Sequence, residues 1–296
     1  MCMLNPVGIY YAFWEREWEA NYIHYVKKAA KIGFDVLELA AGSIVDMTKA
    51  QRLDIANAAK DEGIELTYCI GLPREYDMAN ADDSVRENAV EYVKKLLGCV
   101  GEMGGKVLGG ILYGCWPAVM NQPLTDKSAW WDRSVNSVRK AAQSAADEGV
   151  LYCLEVVNRF EQFLINTAAE GRRFVDEVGS DQVKLLLDAF HMNIEEDFIG
   201  DAIRQSAGYI GHFHIGEANR KVPGRGHMPW DDVVQGLKDA GYTGRIVMEP
   251  FIKMGGAVGR DIKVWHDLSD NGDEAYMDNE ASFALNFMRR KLSERK

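Results

Sequence analysis

Carboxylates and histidines crowd the second half of this 296-residue chain in a pattern suited to holding a cation and moving a proton. Four of the six histidines (His191, His212, His214 and His227) fall within one short stretch. Around them, short apolar runs end in acids. Val150–Val156 carries Glu155, Val183–Asp188 ends in Asp188, and Arg245–Glu249 ends in Glu249, while Ile210–Ile215 carries His212 and His214. A carboxylate at the end of an apolar strand is costly to bury unpaired. Three of them beside a histidine repel one another unless a cation neutralises them. Glu155, Asp188, His214 and Glu249 are therefore a candidate divalent-metal site. Three oxygen donors and one nitrogen favour Mn²⁺, Mg²⁺ or Co²⁺, with open positions for substrate, over tetrahedral structural zinc. His212 and His214 have the same parity and point to the same side of their strand. Spacing does not choose between them; His214 is preferred because it lies nearer the C-terminal rim.

The elements that must position these groups are legible from punctuation. Gly33, Gly63, Gly105, Gly149, Gly179, Gly208 and Gly241 each follow an amphipathic stretch and precede an apolar run. Glycine just past a helix is the usual C-terminal stop, because it takes the left-handed conformation without steric cost. With Val7–Phe13, Phe34–Leu39, Ile64–Tyr68 and Val107–Tyr113, the runs above make eight strand candidates. Thr48 is a plausible N-cap for the helix before Gly63, and a second helix spans 83–104. Alternating strands and helices imply a parallel sheet, and eight units imply a closed (β/α)₈ TIM barrel. An open doubly wound sheet is disfavoured because no G-x-G-x-x-G follows the first strand. The chain reads as one domain, 1–296, without a Pro/Gly/Ser-rich linker.

In such barrels chemistry sits at the carboxyl ends of the strands and in the following loops. Asn158, Arg159 and Glu161 follow the fifth strand, His191 the sixth, and Glu217 and Arg220 the seventh. Arg159 and Glu161 are also placed to pair with each other on a loop. Tyr10, Trp14, Trp18, Trp116 and Phe251 fall at strand ends or in their loops, where aromatic rings form an apolar wall for a sugar ring. The glycines of 223–226 and 255–259 raise a phosphate site as a lesser possibility, although neither stretch is a P-loop. Cys153 reads as a small core hydrophobe.

Composition bounds the partners. With 34 Lys+Arg against 45 Asp+Glu, the net charge of −11 argues against nucleic acid or an anionic membrane. No apolar run approaches the roughly 18–20 residues of a membrane span. The first residues lack a basic start and a small-residue cleavage site. Five widely spaced cysteines (Cys2, Cys69, Cys99, Cys115 and Cys153) fit neither a disulfide framework nor a C-x-x-C metal site. A reduced cytoplasmic protein is expected.

Five segments carry a resemblance: GIYYAFWEREW, LEVVNRFE, LDAFHMNIEED, GHFHIGEANRKVPGRG and VMEPFIKMGGAVGRDIKVW. Together, and in order, they resemble the ketose 3-epimerases, the D-tagatose/D-psicose (D-allulose) 3-epimerase family, whose barrel is xylose-isomerase-like. The resemblance implies one Mn²⁺ or similar cation on Glu155, Asp188, His214 and Glu249. It implies that Glu161, His191 and Arg220 hold the ketose near C1 to C3, and that Tyr10, Trp18, Trp116 and Phe251 form the pocket wall. It further implies homodimers or homotetramers. The chain departs from the common pattern at 40–47 and at Cys69, Cys115, Ile215 and Ala218, which bear on substrate preference rather than on the reaction.

The implied chemistry is inversion of C3 in a free ketose through a cis-enediolate, with Glu155 and Glu249 as base and acid. Strands five and eight stand about 135° apart around a ring of eight, so the two can flank a substrate. The main alternative is an aldose–ketose or hydroxypyruvate-type isomerase on the same barrel. An abasic-DNA endonuclease would want a basic groove, which the charge disfavours. A non-catalytic sugar-binding barrel would not need two acid/base carboxylates.

Overall fold

A computed structural model describes residues 5–118, 120 and 123–294. Eight parallel strands close into a barrel in sequence order: β1 (Val7–Tyr10), β2 (Val36–Ala40), β3 (Glu65–Cys69), β4 (Val107–Gly110), β5 (Leu151–Val156), β6 (Val183–Asp188), β7 (Ile210–Ile215) and β8 (Ile246–Met248). Closure runs from β8 back to β1 through Val7↔Ile246 and Ile9↔Met248. The helical series between and after the strands begins with α1 (Tyr22–Ile32), α2 (Ala41–Val45), α3 (Lys49–Glu62), α4 (Asp83–Glu102), α5 (Ser128–Glu148) and α6 (Ala168–Val178). It continues with α7 (Ala189–Glu195), α8 (Ile199–Gln205), α9 (Trp230–Asp239), α10 (Gly256–Asp261) and α11 (Glu274–Ser293). This is the (β/α)₈ architecture expected from the alternation.

Local signals set the helix limits. Thr48 caps α3 in a reciprocal box with Gln51, satisfying two otherwise orphaned donors. Gly33, Gly63, Gly149 and Gly179 end α1, α3, α5 and α6 in the left-handed conformation. After α4 it is Gly104 (φ 75°), not the expected Gly105, that takes this conformation. Gly105 is packed against Val100 and Tyr68, leaving no room for a Cβ.

Two strands are shorter than their apolar runs suggest. β1 stops at Tyr10, and Tyr11–Phe13 turn into a single 3₁₀ turn. That turn buries Tyr11 and Phe13, with Tyr11 edge-on to Tyr22 at 5.0 Å. β4 stops at Gly110, whose φ of 120° breaks the extended run. A Cβ there would lie 2.1 Å from the Ile70 carbonyl oxygen, so β3 and β4 approach too closely at their C-terminal ends for any other residue.

Cys69, Cys99 and Cys153 are buried, Cys115 is half-buried, and all four are free thiols. Cys2 lies outside the described residues. Among the described residues, no helix is long and apolar enough to cross a membrane.

Candidate active site

The strand ends β5 to β8 bring four side chains to one point inside the barrel mouth. A ligand atom from each of Glu155, Asp188, His214 and Glu249 lies within 4.8 Å of all the others. Register explains the convergence. Asp188 is directly opposite His214 across β6 and β7, and Glu249 follows Met248, the partner of Ile215. His214 Nδ1 lies 4.0 Å from Glu155 Oε1 and 3.9 Å from Glu249 Oε2. Glu155, Asp188 and His214 are buried and Glu249 is half-buried.

The donor set fits a divalent cation. Asp188 Oδ1 accepts from the Phe190 amide and so caps α7, while the buried Oδ2 has no hydrogen-bond partner. His214 Nδ1 is likewise buried and unpartnered. Buried polar atoms of native proteins almost always find partners. Here two orphans and two further carboxylates share one small volume, which a cation ligated by oxygen and imidazole nitrogen would satisfy. The electrostatics agree. Burial, reinforced by the charge of Glu249, pushes the Glu155 carboxyl well above its ordinary range. Burial likewise raises Glu249 to about 7, against the attraction of His214 and Arg220.

Around this centre stand the groups expected near C1 to C3. His191, in the first turn of α7, receives the Asn158 amide N–H at its Nδ1, 3.3 Å away, with Asn158 Nδ2 at 2.7 Å. An amide N–H only donates, so Nδ1 accepts and Nε2 carries the proton. Nε2 stands 3.6 Å from both Glu155 Oε1 and Asp188 Oδ2. Burial lowers the pKa of this imidazole, overcoming the pull of Glu161 and Asp188. Glu161 accepts from Trp116 Nε1 at 2.9 Å and from Asn158 Nδ2 at 3.2 Å. Although burial pushes its pKa up, His191 and Arg220 hold it below the ordinary value. Arg220 reaches Glu161 and Glu249 at 3.5 Å each and covers the Phe190 ring at 3.6 Å. Its backbone is left-handed, φ 62°, a conformation that costs a non-glycine residue on the order of 1–3 kcal/mol. The turn is held by Arg220 N donating to Glu217 O and Phe251 N donating to Arg220 O, tying the loops after β7 and β8 together.

The wall is aromatic. Tyr10, Trp18 and Phe251 form a triangle with ring centroids 6.1 to 6.5 Å apart. Trp18 Nε1 donates to Asp261 on α10 at 2.8 Å. These rings, with Trp116, line a narrow cavity of about 60 Å³ that reaches Glu155, His191 and Glu249. Tyr10, Trp18, Cys69 and Trp116 also border a wider groove of about 660 Å³ over the ends of β1 to β3.

Other loop readings resolve differently. Arg159 pairs with Glu195 at 2.7 Å rather than with Glu161. The glycine loop 223–226 folds onto the buried Glu217 carboxylate, which accepts from Gly224 N, Met228 N and Trp230 Nε1. The Gly224 amide thus serves the chain's own anion. At the second glycine stretch, Gly256 is packed on the Arg16 carbonyl and Ala257 N donates to Glu17. His212 lies deeper than His214, with Nε2 2.8 Å from Glu38 Oε2. Sequence reasoning missed Glu38, although an acid inside the apolar run Val36–Ala40 is the same signal that picked out Glu155. It also gave no role to Asn158, which orients both His191 and Glu161.

Barrel, cluster and aromatic wall together define a sugar-transforming class of the xylose isomerase-like TIM barrels, whose family model matches residues 26–268. The chain is 49% identical over 282 residues to a D-psicose 3-epimerase of Ruminiclostridium cellulolyticum, covering 95% of this chain and 96% of the relative. It is 46% identical over 282 residues to a D-psicose 3-epimerase of Agrobacterium fabrum, covering 95% and 97%. The solved D-psicose 3-epimerase with D-tagatose from Clostridium cellulolyticum H10 superposes with a TM-score of 0.95 at 48% identity, covering 97% of this chain and 99% of that one. The chain belongs to the xylose isomerase-like TIM barrel family and, within it, to the ketose 3-epimerases.

Proposed function

We propose that this chain inverts C3 of free ketoses, such as the D-fructose/D-psicose and D-tagatose/D-sorbose pairs, using Glu155 and Glu249 as the acid/base pair. The observation that carries this reading is the placement of the two carboxylates. They come from strand ends three steps apart, they line one cavity, and each stands about 4 Å from the same imidazole nitrogen. Inversion needs a proton removed from one face of C3 and another returned to the opposite face. Two carboxylates flanking the substrate meet that need, whereas a single shuttle on one face does not.

Glu155, Asp188, His214 and Glu249 would hold Mn²⁺, with Mg²⁺ or Co²⁺ as substitutes. Such a cation supplies Lewis-acid polarisation of the C2 carbonyl, which acidifies the neighbouring C3–H. One carboxylate oxygen of Glu155 or Glu249 takes that proton while the opposing carboxyl returns one. His191 Nε2–H, Arg220 and Glu161 hydrogen-bond the oxygens near C1 to C3 and fix the reactive rotamer. Tyr10, Trp18, Trp116 and Phe251 cover the carbon skeleton and exclude water. The sequence-wide barrel acts as one domain, 1–296, in a cytoplasmic homodimer or homotetramer.

Incubating the Mn²⁺-loaded protein in D₂O with D-fructose, D-tagatose, D-psicose and L-ribulose separately tests this reading. Deuterium at C3 in a new ketose is expected. Deuterium at C1 or C2 with formation of an aldose would overturn it in favour of aldose–ketose isomerisation.

A further inference from the structure

Glu38 has no part in the chemistry above, yet it is a completely buried carboxylate on β2. β2 and β7 are not neighbours in the ring, so its contacts with β7 cross the barrel interior. Oε2 accepts from Thr67 Oγ1 at 2.8 Å and meets His212 Nε2 at 2.8 Å. Oε1 lies 2.6 Å from His214 Nε2, an ion-pair contact rather than an aligned hydrogen bond. Two lone pairs would repel at that distance, so His214 presents an N–H there. The other ring nitrogen, Nδ1, is then the one whose lone pair faces Glu155 and Glu249.

We propose that Glu38, itself held by Thr67 and His212, is a positioning residue. It fixes the proton of His214 on Nε2 and the ring's orientation, leaving Nδ1 as the ligating atom. This inference rests on the reading that His214 ligates a cation. Carboxylates that accept from the distal N–H of a ligating histidine fix its tautomer and raise its basicity. The charge balance is consistent: a carboxylate buried at the barrel centre needs compensation, and Glu38 is hydrogen-bonded by Thr67 and His212 and in ion-pair contact with His214. A second trio, Glu38, Cys69 and His214, also lies within 4.8 Å. A cation there would have to take Nε2, displacing the proton that Glu38 holds, which is the opposite arrangement.

Titration of the chelator-treated full chain with Mn²⁺, following free Mn²⁺ by electron paramagnetic resonance, is the test. Glu38→Gln should weaken Mn²⁺ binding about 10–100-fold in a protein whose circular dichroism is unchanged. Thr67→Val, which removes one bond to the carboxylate, should weaken it about two- to tenfold. In Mg²⁺-loaded protein labelled with ¹⁵N-histidine, the His214 proton should reside on Nε2. A folded Glu38→Gln variant that binds Mn²⁺ within about twofold of the parent overturns the proposal. A His214 proton on Nδ1 overturns it as well, and that measurement holds even where Glu38→Gln does not fold. If the unsubstituted protein shows no Mn²⁺ affinity that Asp188→Asn removes, the cation reading itself has failed and takes this inference with it.

Discussion

From β5 to β8 the strand ends carry Glu155, Asp188, His214 and Glu249, whereas β1 to β4 end in Tyr10, Ala40, Cys69 and Gly110. The β5–β8 half gathers charge; the β1–β4 half offers rings, small side chains and one deep carboxylate. Both halves share the same strand geometry, so the difference lies in side chains and in what their loops do. The β5–β8 loops donate His191, Glu161 and Arg220 to the cluster. The β1–β4 loops supply Trp18 and Trp116, which enclose the cavity. A polar half that reacts and an apolar half that covers is a division suited to a sugar, whose oxygens and carbon faces need different surroundings.

The sharpest way to break this division is to remove acid/base function from the polar half alone. Glu155→Gln or Glu249→Gln should lower the rate of C3 hydrogen exchange about 10²–10⁴-fold, read as deuterium incorporation from D₂O. Near-normal exchange in either variant would remove the two-carboxylate scheme. Arg220→Ala comes next. It deletes a guanidinium 3.5 Å from both Glu161 and Glu249, and should reduce kcat/KM about 10–100-fold, mostly through KM. A loss confined to kcat would move Arg220 from binding into the chemistry.

On the covering side, Trp18→Phe keeps a ring but loses the bond to Asp261. It should raise KM roughly two- to tenfold and leave kcat close to the parent's. A kcat effect as large as that of Glu155→Gln would mean that the two halves are not separable.

The subtlest test uses pH and stability without substrate. Burial disfavours charge on His214, but Glu38 and then Glu249 raise its pKa to about 10. The unfolded value is near 6.5. In the cation-free protein the folded state then binds more protons than the unfolded one between these values, so stability falls as pH rises from 7 towards 10. Thermal unfolding of chelator-treated protein at pH 7 and pH 9 should show this decline. Mn²⁺ should flatten it, because the cation replaces the extra proton at Nδ1. An identical slope with Mn²⁺ present would separate His214 from the cation.

How much of this was readable beforehand differs by residue. Asp188 and Glu249 stood out because an acid closes each apolar run, and burial makes such a placement costly without a partner. The seven stop glycines divided the chain into its units, since only glycine takes the left-handed turn freely; the error at Gly104/Gly105 came from two adjacent candidates. Glu38 obeyed the same rule as Glu155 but escaped notice, because its partners lie across the barrel on β7. Arg159 and Glu161 are close in sequence, yet Glu195 takes one and Trp116 the other. Early ends of β1 and β4 came from packing: a ring-burying turn in one, a carbonyl within touching distance of Gly110 in the other.

The sequence by itself determined the strand–helix alternation, the parity of its strands and which strand ends are acidic, because these follow from spacing and from the desolvation of charge. Only the tertiary structure decided which atoms meet. Closure of the ring set β2 facing β7, and so chose Glu38 as the carboxylate that both histidines meet. It placed His214 rather than His212 among the carboxylates, because two residues along a strand is a full layer of the barrel interior. Proximity of that kind is a property of the closed ring, and no local pattern along the chain encodes it.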